Sequence, residues 1–196
     1  MFNFLKKEET NHWRQFKGRG NSNEVLVEKG KLLAVVLIDW VQTGVKNFFE
    51  RLEKEGGKKV ETGFGEMFFE TILFSLHYID RIAASSLTPE QRISFTDALV
   101  REAESTLSEA HQSEKQKEIF GDMFETLYNE RQAEYSQYKV IADEGEGYGQ
   151  TLFWEFEKRI TKILAYDQDV VTMMQVHALV TTTLAYLKIN QLLETK

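Results

Sequence analysis

The sequence contains no cysteine and a single proline among its 196 residues. The missing cysteine excludes disulfides, thiolate zinc sites, iron–sulfur clusters and a cysteine nucleophile. It also fits a reducing compartment, so we expect a cytoplasmic protein. Because proline breaks helix interiors and marks loops, its scarcity indicates long helices joined by few connections.

Long apolar runs are missing as well. After Met1, the only early apolar side chains are Phe2, Phe4 and Leu5, too few for the apolar core of a secretory signal. The longest apolar run, 32–41, is interrupted by Asp39 and is much shorter than the ~20 residues that cross a bilayer. We therefore expect no secretory signal and no transmembrane segment, and we assign this run to a core helix.

Basic residues are scarce beyond the first 23 positions. Residues 1–23 carry five basic and two acidic side chains, whereas the rest of the chain carries 19 basic and 29 acidic ones, a net charge of −10. A body of that sign repels phosphate backbones, so we do not expect it to bind nucleic acid. Apolar residues make up 42% of the chain, which is enough for one packed core, and the charged content of 28% argues against a disordered protein.

Residues 1–23 form a basic, aromatic N-terminal tail that differs in composition from the helical region 24–196. The tail places aromatic side chains such as Trp13 and Phe16 among basic ones. A segment of this kind can lie on an anionic membrane surface or hold a partner, and residues 1–20 are where that contact is expected. The simpler alternatives are a disordered start or a segment that folds back onto an apolar groove. The sequence leaves these alternatives open.

Helical periodicity runs through most of the chain and predicts about six helices. Their predicted positions are 24–53, 60–85, a helix that starts after Thr88, 114–141, a helix that follows residues 142–150, and a helix from a cap at Asp167 or Asp169 to about Leu193. No stretch alternates apolar and polar residues between turns, so we expect no sheet. We predict an all-α, single-domain bundle with a long acidic, glycine-rich loop before the fifth helix. The sixth helix is apolar over most of its circumference and is expected at the centre of the bundle.

The start of the third helix carries a strong local signal. Thr88 has the N-cap position, Pro89 follows at the first helical position, and Gln91 lies three residues after the cap. This spacing is that of a capping box, and proline at the first position loses no hydrogen bond. Beyond it, we expect a narrow apolar stripe that begins at Ile93.

Two short segments resemble each other, "FGEMFFET" at 64–71 and "FGDMFET" at 120–126. One phenylalanine is missing from the second, and this would rotate all following residues by about 100° on a helix. Because that rotation exchanges core and surface positions, it argues against an internal duplication. We instead expect Gly65 and Gly121 to permit close approach of neighbouring helices.

Polar residues gather on one face of the predicted second helix. These residues, called the polar strip below, are Glu66, Glu70, His77, Asp80 and Arg81. They share an arc of about 100° on a helical wheel. The opposite arc includes Ile72 and Ile79, which we expect in the core. The strip is either a solvated or ion-paired surface, or half of a metal or acid–base site.

Ligand spacing favours the surface interpretation of the strip. Helical di-metal sites use Glu-x-x-His, because side chains three residues apart converge on one ion. Here that spacing occurs only at Glu9 and His12, in the tail. Within the strip, Glu70 and His77 are ~10.5 Å apart along the helix axis, too far to bind one ion. The reversed spacing, which could supply two ligands, occurs at His77 with Asp80 and at His111 with Glu114.

Two further features have a functional and a structural interpretation. His177 lies beside Met173 on an apolar helix and could be an axial haem ligand, although a core histidine bonded to a carbonyl is the simpler interpretation. The loop 142–150 is either a flexible connector, or a lid or partner-binding loop. Its acidic residues, which repel phosphate and lack the spacing of a calcium-binding loop, are Asp143, Glu144 and Glu146.

The sequence therefore combines long helices with no convergent chemistry. We expect a non-enzymatic helical binding or interaction protein, with a protein partner or self-association left open. We assign no catalytic, metal-binding or cofactor-binding residue, and we expect no cofactor. The alternatives are a metal- or haem-dependent helical enzyme that uses His77, Asp80 and either His111 or His177, and a membrane-surface adaptor that docks through its tail.

Overall fold

The computed structural model describes residues 13–54, 63–141, 147–166 and 169–194. Its helices are α1 (Asn23–Lys54), α2 (Phe64–Ser86), α3 (Pro89–Ser108), α4 (Glu114–Tyr135), α5 (Leu152–Ile163), α6 (Val170–Leu187) and a short α7 (Ile189–Leu193). Over the described ranges no strand forms, and one isolated bridge joins Lys139 to Thr151. The prediction of an all-α single-domain bundle is confirmed. Residues 142–146, which carry the acidic part of the predicted loop, lie outside the described residues.

The predicted helix starts at Thr88 and Asp169 are confirmed. The Thr88 hydroxyl accepts a hydrogen bond from Gln91 N at 3.4 Å, and Thr88 N donates to the Gln91 side chain at 3.2 Å. The Asp169 carboxylate accepts from Thr172 N at 2.7 Å. The predicted end of α4 at residue 141 is wrong, because the helix stops at Tyr135.

The central helix of the bundle is α2, not the sixth helix that its composition predicted. Every residue from Thr71 to His77 is buried, because α1, α3, α4, α5, α6 and α7 all pack against α2. Ile72 and Ile79 have no solvent-accessible surface, which confirms them as core residues. By contrast, α6 meets α1, α5 and α2 and keeps an outer face.

The close approach between helices occurs at a glycine that the sequence did not single out. A Cβ atom at Gly30 of α1 would lie 2.6 Å from Phe95 O of α3, so only glycine allows the two backbones to come this near. The expectation for Gly65 is wrong, since a Cβ atom added there would have no neighbouring atom within 4 Å. At Gly121 a Cβ would meet the flexible carboxylate of Glu104 at 2.7 Å, which is not a backbone approach.

The contact with α1 also sets the rotation of α3. The buried positions of α3 are Phe95, Ala98, Leu99 and Ala103. Ile93, predicted to begin the core stripe, is instead 58% exposed. Phe95 takes the core position because its backbone is the part of α3 that rests on Gly30.

The described part of the N-terminal tail packs against the C-terminal end of the chain. Trp13 and Phe16 are buried, and the Trp13 indole N–H donates to Leu187 O at 2.8 Å. Asn21 likewise donates to Leu193 O at 2.8 Å. Residues 13–22 therefore follow the fold-back alternative, while residues 1–12 lie outside the described residues.

Candidate functional site

Four of the five side chains of the polar strip of α2 are buried or half-buried and have hydrogen-bond partners, whereas Glu66 is exposed. Glu70 and His77 are only 6% and 3% exposed, because α4 packs over this face of α2. A wheel of α2 alone shows where the strip lies on the helix, but it does not show which helix will cover it. Within the strip, Glu70 and Asp80 form ion pairs with arginine.

Glu70 is the centre of a charge network between α2, α4 and α5. Its Oε1 accepts hydrogen bonds from Arg131 Nε at 2.8 Å and from the Tyr135 hydroxyl at 2.7 Å, and Arg159 Nε lies 3.5 Å away. Glu134 pairs with both Arg131 and Arg159. Burial, followed by the charge of Glu70, raises the pKa of Tyr135 well above its ordinary value. Two carboxylates thus balance two guanidinium groups, and the network joins three helices.

His77 is held as a neutral side chain. Its Nδ1 lies 2.7 Å from Gln132 Oε1, so Nδ1 carries the proton that it donates to this carbonyl-type acceptor. Burial lowers the pKa of His77, because the charged imidazolium would lose its hydration. Sequence reasoning found the position of His77 but not its partner on α4.

Asp80 and Arg81 of the strip bind different partners. Asp80 accepts from Arg92 Nε at 2.8 Å and from Arg92 Nη2 at 2.5 Å, which is a bidentate pair with α3. Arg81 donates to Tyr135 O at 3.1 Å and to Ser136 O at 3.2 Å, and so caps the C-terminal end of α4. Apart from the exposed Glu66, the side chains of the strip therefore diverge toward α3, α4 and α5 and do not converge on one point.

The histidines considered as metal or haem ligands lie apart from one another. The ring of His111 packs 4.9 Å from that of Phe120, whereas His77 faces α4 and His177 faces α5. Within the described ranges, no group of three or more histidine, aspartate and glutamate side chains is arranged to hold a metal ion. His12 and Glu9 fall outside those ranges.

His177 belongs to a cluster that the sequence did not predict. The expectation of a carbonyl-bonded core histidine is wrong, because Nδ1 lies 2.7 Å from Glu157 Oε1 and the side chain is 42% exposed. The Tyr148 hydroxyl donates to the same carboxylate oxygen at 2.5 Å and lies 2.9 Å from His177 Nδ1. Residues from a 3₁₀ turn (Tyr148–Gln150), from α5 and from α6 thus share one proton-accepting oxygen.

Burial controls the charge state of this cluster. Burial raises the pKa of Glu157 despite the opposing hydrogen bonds from Tyr148 and His177. Burial, together with the hydrogen bond to Glu157, also raises the pKa of Tyr148. The phenol therefore stays protonated and donates its hydrogen bond. Through this bond Tyr148, which lies in the predicted loop, is anchored to α5.

The contacts described so far do not involve the outer face of α6. Along the 18 residues of α6 there is no aspartate, glutamate, lysine or arginine. Val170, Val171 and Met174 are 65%, 63% and 68% exposed. A helix on the surface of a globular protein ordinarily carries charged residues on its solvent side. Exposed valine and methionine next to one another on an uncharged face are typical of a surface that is covered by something else.

The outer face continues along the whole helix. Its members, each three or four residues after the previous one, are Val171, Met174, Ala178, Thr182 and Ala185, all of them half-buried or exposed. On one side it is bordered by the rings of Trp40 and Tyr186, which are tilted by 33° relative to each other, and on the other by His177. We call these five residues the α6 face.

A groove lies beside the C-terminal half of the α6 face. Its volume is about 390 Å³, and its walls include Tyr78, Ile82, Phe153, Thr181, Ala185 and Lys188. The apolar part of the wall comes from α2, α5, α6 and α7, and Lys188 lies in the turn between α6 and α7. The groove therefore offers an apolar side chain a place to insert next to the α6 face.

Two segments, Asn23–Lys54 and Val170–Leu193, are long and apolar enough to cross a membrane by length and composition alone. A core helix of a soluble protein passes the same test. For α1 the apolar residues line the bundle core, from Leu26 to Leu52. For α6 a large part of the apolar surface lies on the α6 face instead.

No family model, curated protein or solved structure matches this chain. Its function is therefore inferred from the residues described above.

Proposed function

We propose that this protein is a non-enzymatic helical binding protein and that the α6 face is its binding surface. The observation that carries the proposal is an exposed helix face that bears valine and methionine and no charged residue. Leaving such side chains in water costs free energy, roughly 1.5–3 kcal/mol for each Val or Met that a partner could bury fully. An apolar helix of another polypeptide chain would supply the complementary surface.

The polar clusters support a structural role for the other candidate residues. Glu70 and Asp80 are each occupied by arginine partners, and His77 is buried against Gln132. Charged groups held in this way fix the relative positions of helices. The rigid bundle would then serve to present the α6 face in one conformation, which lowers the entropic cost of binding.

A photo-crosslinking amino acid at position 174 tests the proposal directly. The full-length chain is expressed in cells with the crosslinker in place of Met174, and a second strain carries it in place of Met123. Met123 is the matched control, because it is an exposed methionine (46%) on α4, away from the α6 face. We expect discrete crosslinked species of defined mass from position 174 and none from position 123.

The outcome that contradicts the proposal is equally concrete. Equal crosslinking from both positions, or none from position 174, would mean that the α6 face is an ordinary solvent surface. Crosslinks from position 174 to lipid rather than to protein would assign the face to a membrane surface, and this too would overturn the proposal as stated.

A further inference from the structure

We propose that the occupant of the α6 face is the α6 face of a second copy of this chain, packed antiparallel about a two-fold axis at Ala178. This inference rests on the proposed function and names the partner. Three properties of α6 support it: the symmetry of its residue sizes, the position of the groove, and the charges at its two ends.

The residue sizes on the α6 face are complementary under reversal of the helix. Ala178 is at the centre, Met174 and Thr182 lie four residues on either side of it, and Val171 and Ala185 lie seven residues on either side. An antiparallel copy therefore places each large side chain opposite a smaller one, Met174 against Thr182 and Val171 against Ala185. Alanine at the axis lets the two helices approach closely. Spacing by three and four residues is that of helices packed side by side.

The groove lies where the second copy needs it. In the antiparallel arrangement, the N-terminal end of one α6 runs past Thr181, Ala185 and Lys188 of the other. These three residues form part of the groove wall. Met174 and Val171, which project from the first copy, would therefore enter the groove of the second, and the reverse insertion would occur at the symmetry-related position. Because the apolar patch of each copy enters the groove of the other, the two contacts are equivalent and form a closed isologous interface.

The charges at the ends of α6 fit the same arrangement. Asp169 is the N-cap and Lys188 the C-cap of α6, and both are exposed. Asp169 lies nine residues before Ala178 and Lys188 ten residues after it. Antiparallel packing thus places the acidic N-terminal end of each α6 at the basic C-terminal end of the other, while parallel packing would place ends of like charge together. The chain as a whole is acidic, with a net charge of −7, so an uncharged helix face is where two copies can meet with little repulsion.

The association is tested on the purified full-length chain by sedimentation velocity over a range of concentrations. We expect a dimer for the unmodified chain. Met174→Glu should weaken dimerisation by roughly 100-fold or more, since an isologous interface would bury the new charge twice. The matched control is Met123→Glu, an equal change of chemistry at an exposed site on α4, which should leave the dimer unchanged. Met174 is exposed in a single copy, so the variant is expected to fold, and circular dichroism checks this.

The geometry is tested with engineered cysteines, because the natural chain has none. A disulfide forms only when the two Cα atoms are within about 7 Å of each other. Ala178→Cys lies at the proposed axis and should form a disulfide-linked dimer on mild oxidation. Ala133→Cys, an exposed alanine position on α4, is the control and should not.

Two further cysteine variants fix the direction of packing. Met174→Cys alone and Thr182→Cys alone should not link to themselves, because the equivalent residues of an antiparallel pair are eight positions apart along the axis, or about 12 Å. A mixture of the two variants should form the mixed disulfide. Self-linking of Met174→Cys as fast as that of Ala178→Cys would indicate parallel packing and would refute the arrangement.

The remaining outcomes distinguish this inference from the proposed function. If the unmodified chain is a monomer at every concentration, or if Met174→Glu leaves the dimer intact, the second copy is not the occupant. Crosslinking of position 174 to a different protein would then leave the proposed binding function standing. Flotation of the unmodified chain, but not of Met174→Glu, with phosphatidylcholine vesicles would assign the α6 face to a lipid surface and overturn both.

Discussion

Replacement of Glu70 by alanine should be among the most destabilising single changes in this protein. The side chain of Glu70 is 7% exposed, and those of its partners Arg131 and Arg159 are 16% and 27% exposed. Alanine removes the carboxylate but leaves both guanidinium groups and the Tyr135 hydroxyl partly buried between α2, α4 and α5. The loss therefore includes the cost of burying charges whose partner has gone.

The size of the effect follows from these contacts. Removal of one partner from a buried ion pair costs about 3–5 kcal/mol. Because Glu134 still pairs with both arginines, we expect the lower half of that range, about 3–4 kcal/mol. Glu70→Gln keeps the shape and one hydrogen-bond acceptor but loses the charge, so its cost should be about half as large, ~1.5–2 kcal/mol. The part of the prediction that depends on the network is that Glu70→Ala lowers the free energy of unfolding more than Glu70→Gln does.

Urea unfolding, followed by circular dichroism at 222 nm, measures both changes. The matched control is Glu66→Ala, which removes the same side chain one turn earlier on α2, at an exposed position. The control should change the free energy of unfolding by less than ~0.5 kcal/mol. If Glu70→Ala costs no more than Glu66→Ala, the network contributes nothing and Glu70 does not hold α2, α4 and α5 together.

Three further predictions concern the core and the buried titratable groups. Ile72→Ala should lower the free energy of unfolding by about 2–5 kcal/mol, whereas Ile93→Ala at the exposed position on α3 should cost less than ~0.5 kcal/mol, both by urea unfolding. The pKa of His77 is lowered in the folded state, so below the ordinary value of ~6.5 the unfolded state binds more protons than the folded state. The melting temperature of the wild type, relative to that of His77→Gln, should therefore fall as the pH drops through that value. The pKa of Glu157 is raised in the folded state, so above the ordinary value of ~4.3 the folded state binds more protons than the unfolded state. The melting temperature of the wild type, relative to that of Glu157→Gln, should therefore fall as the pH rises through that value. A rise in melting temperature instead would contradict the effect of burial.

Sequence periodicity was sufficient to predict the elements and much of their orientation. Proline scarcity, capping residues and helical spacing predicted six of the helices, and the opposition of Ile72 to the polar strip fixed the rotation of α2. These signals are local, because they act within a few residues of one another along a single helix. For the same reason, local signals could not predict that α4 would cover the strip and turn a polar surface into an internal ion-pair network.

Clusters assembled from distant segments could not be predicted in this way. Tyr148, Glu157 and His177 meet only because a 3₁₀ turn, α5 and α6 are packed together, and no spacing among them indicates this. The sequence contained a weak indication of the cluster at His177, because a polar side chain on an apolar helix needs a hydrogen-bond partner. A carboxylate can be that partner as well as the carbonyl we expected. Its identity depends on which helix lies opposite.

The prediction that α6 would be the central helix was wrong for a physical reason that bears on function. A helix without charged residues is apolar on all sides, and the sequence alone cannot show whether neighbours from the same chain or from another chain cover those sides. In this fold α2 is surrounded by six other helices, which leaves α6 with α1, α5 and α2 as neighbours and one side uncovered. If evolution had selected α6 only for the monomer, lysine or glutamate at Val171 or Met174 would be tolerated, because both side chains extend into solvent. The absence of charge that suggested a central helix therefore agrees with the proposal that a second surface packs on α6.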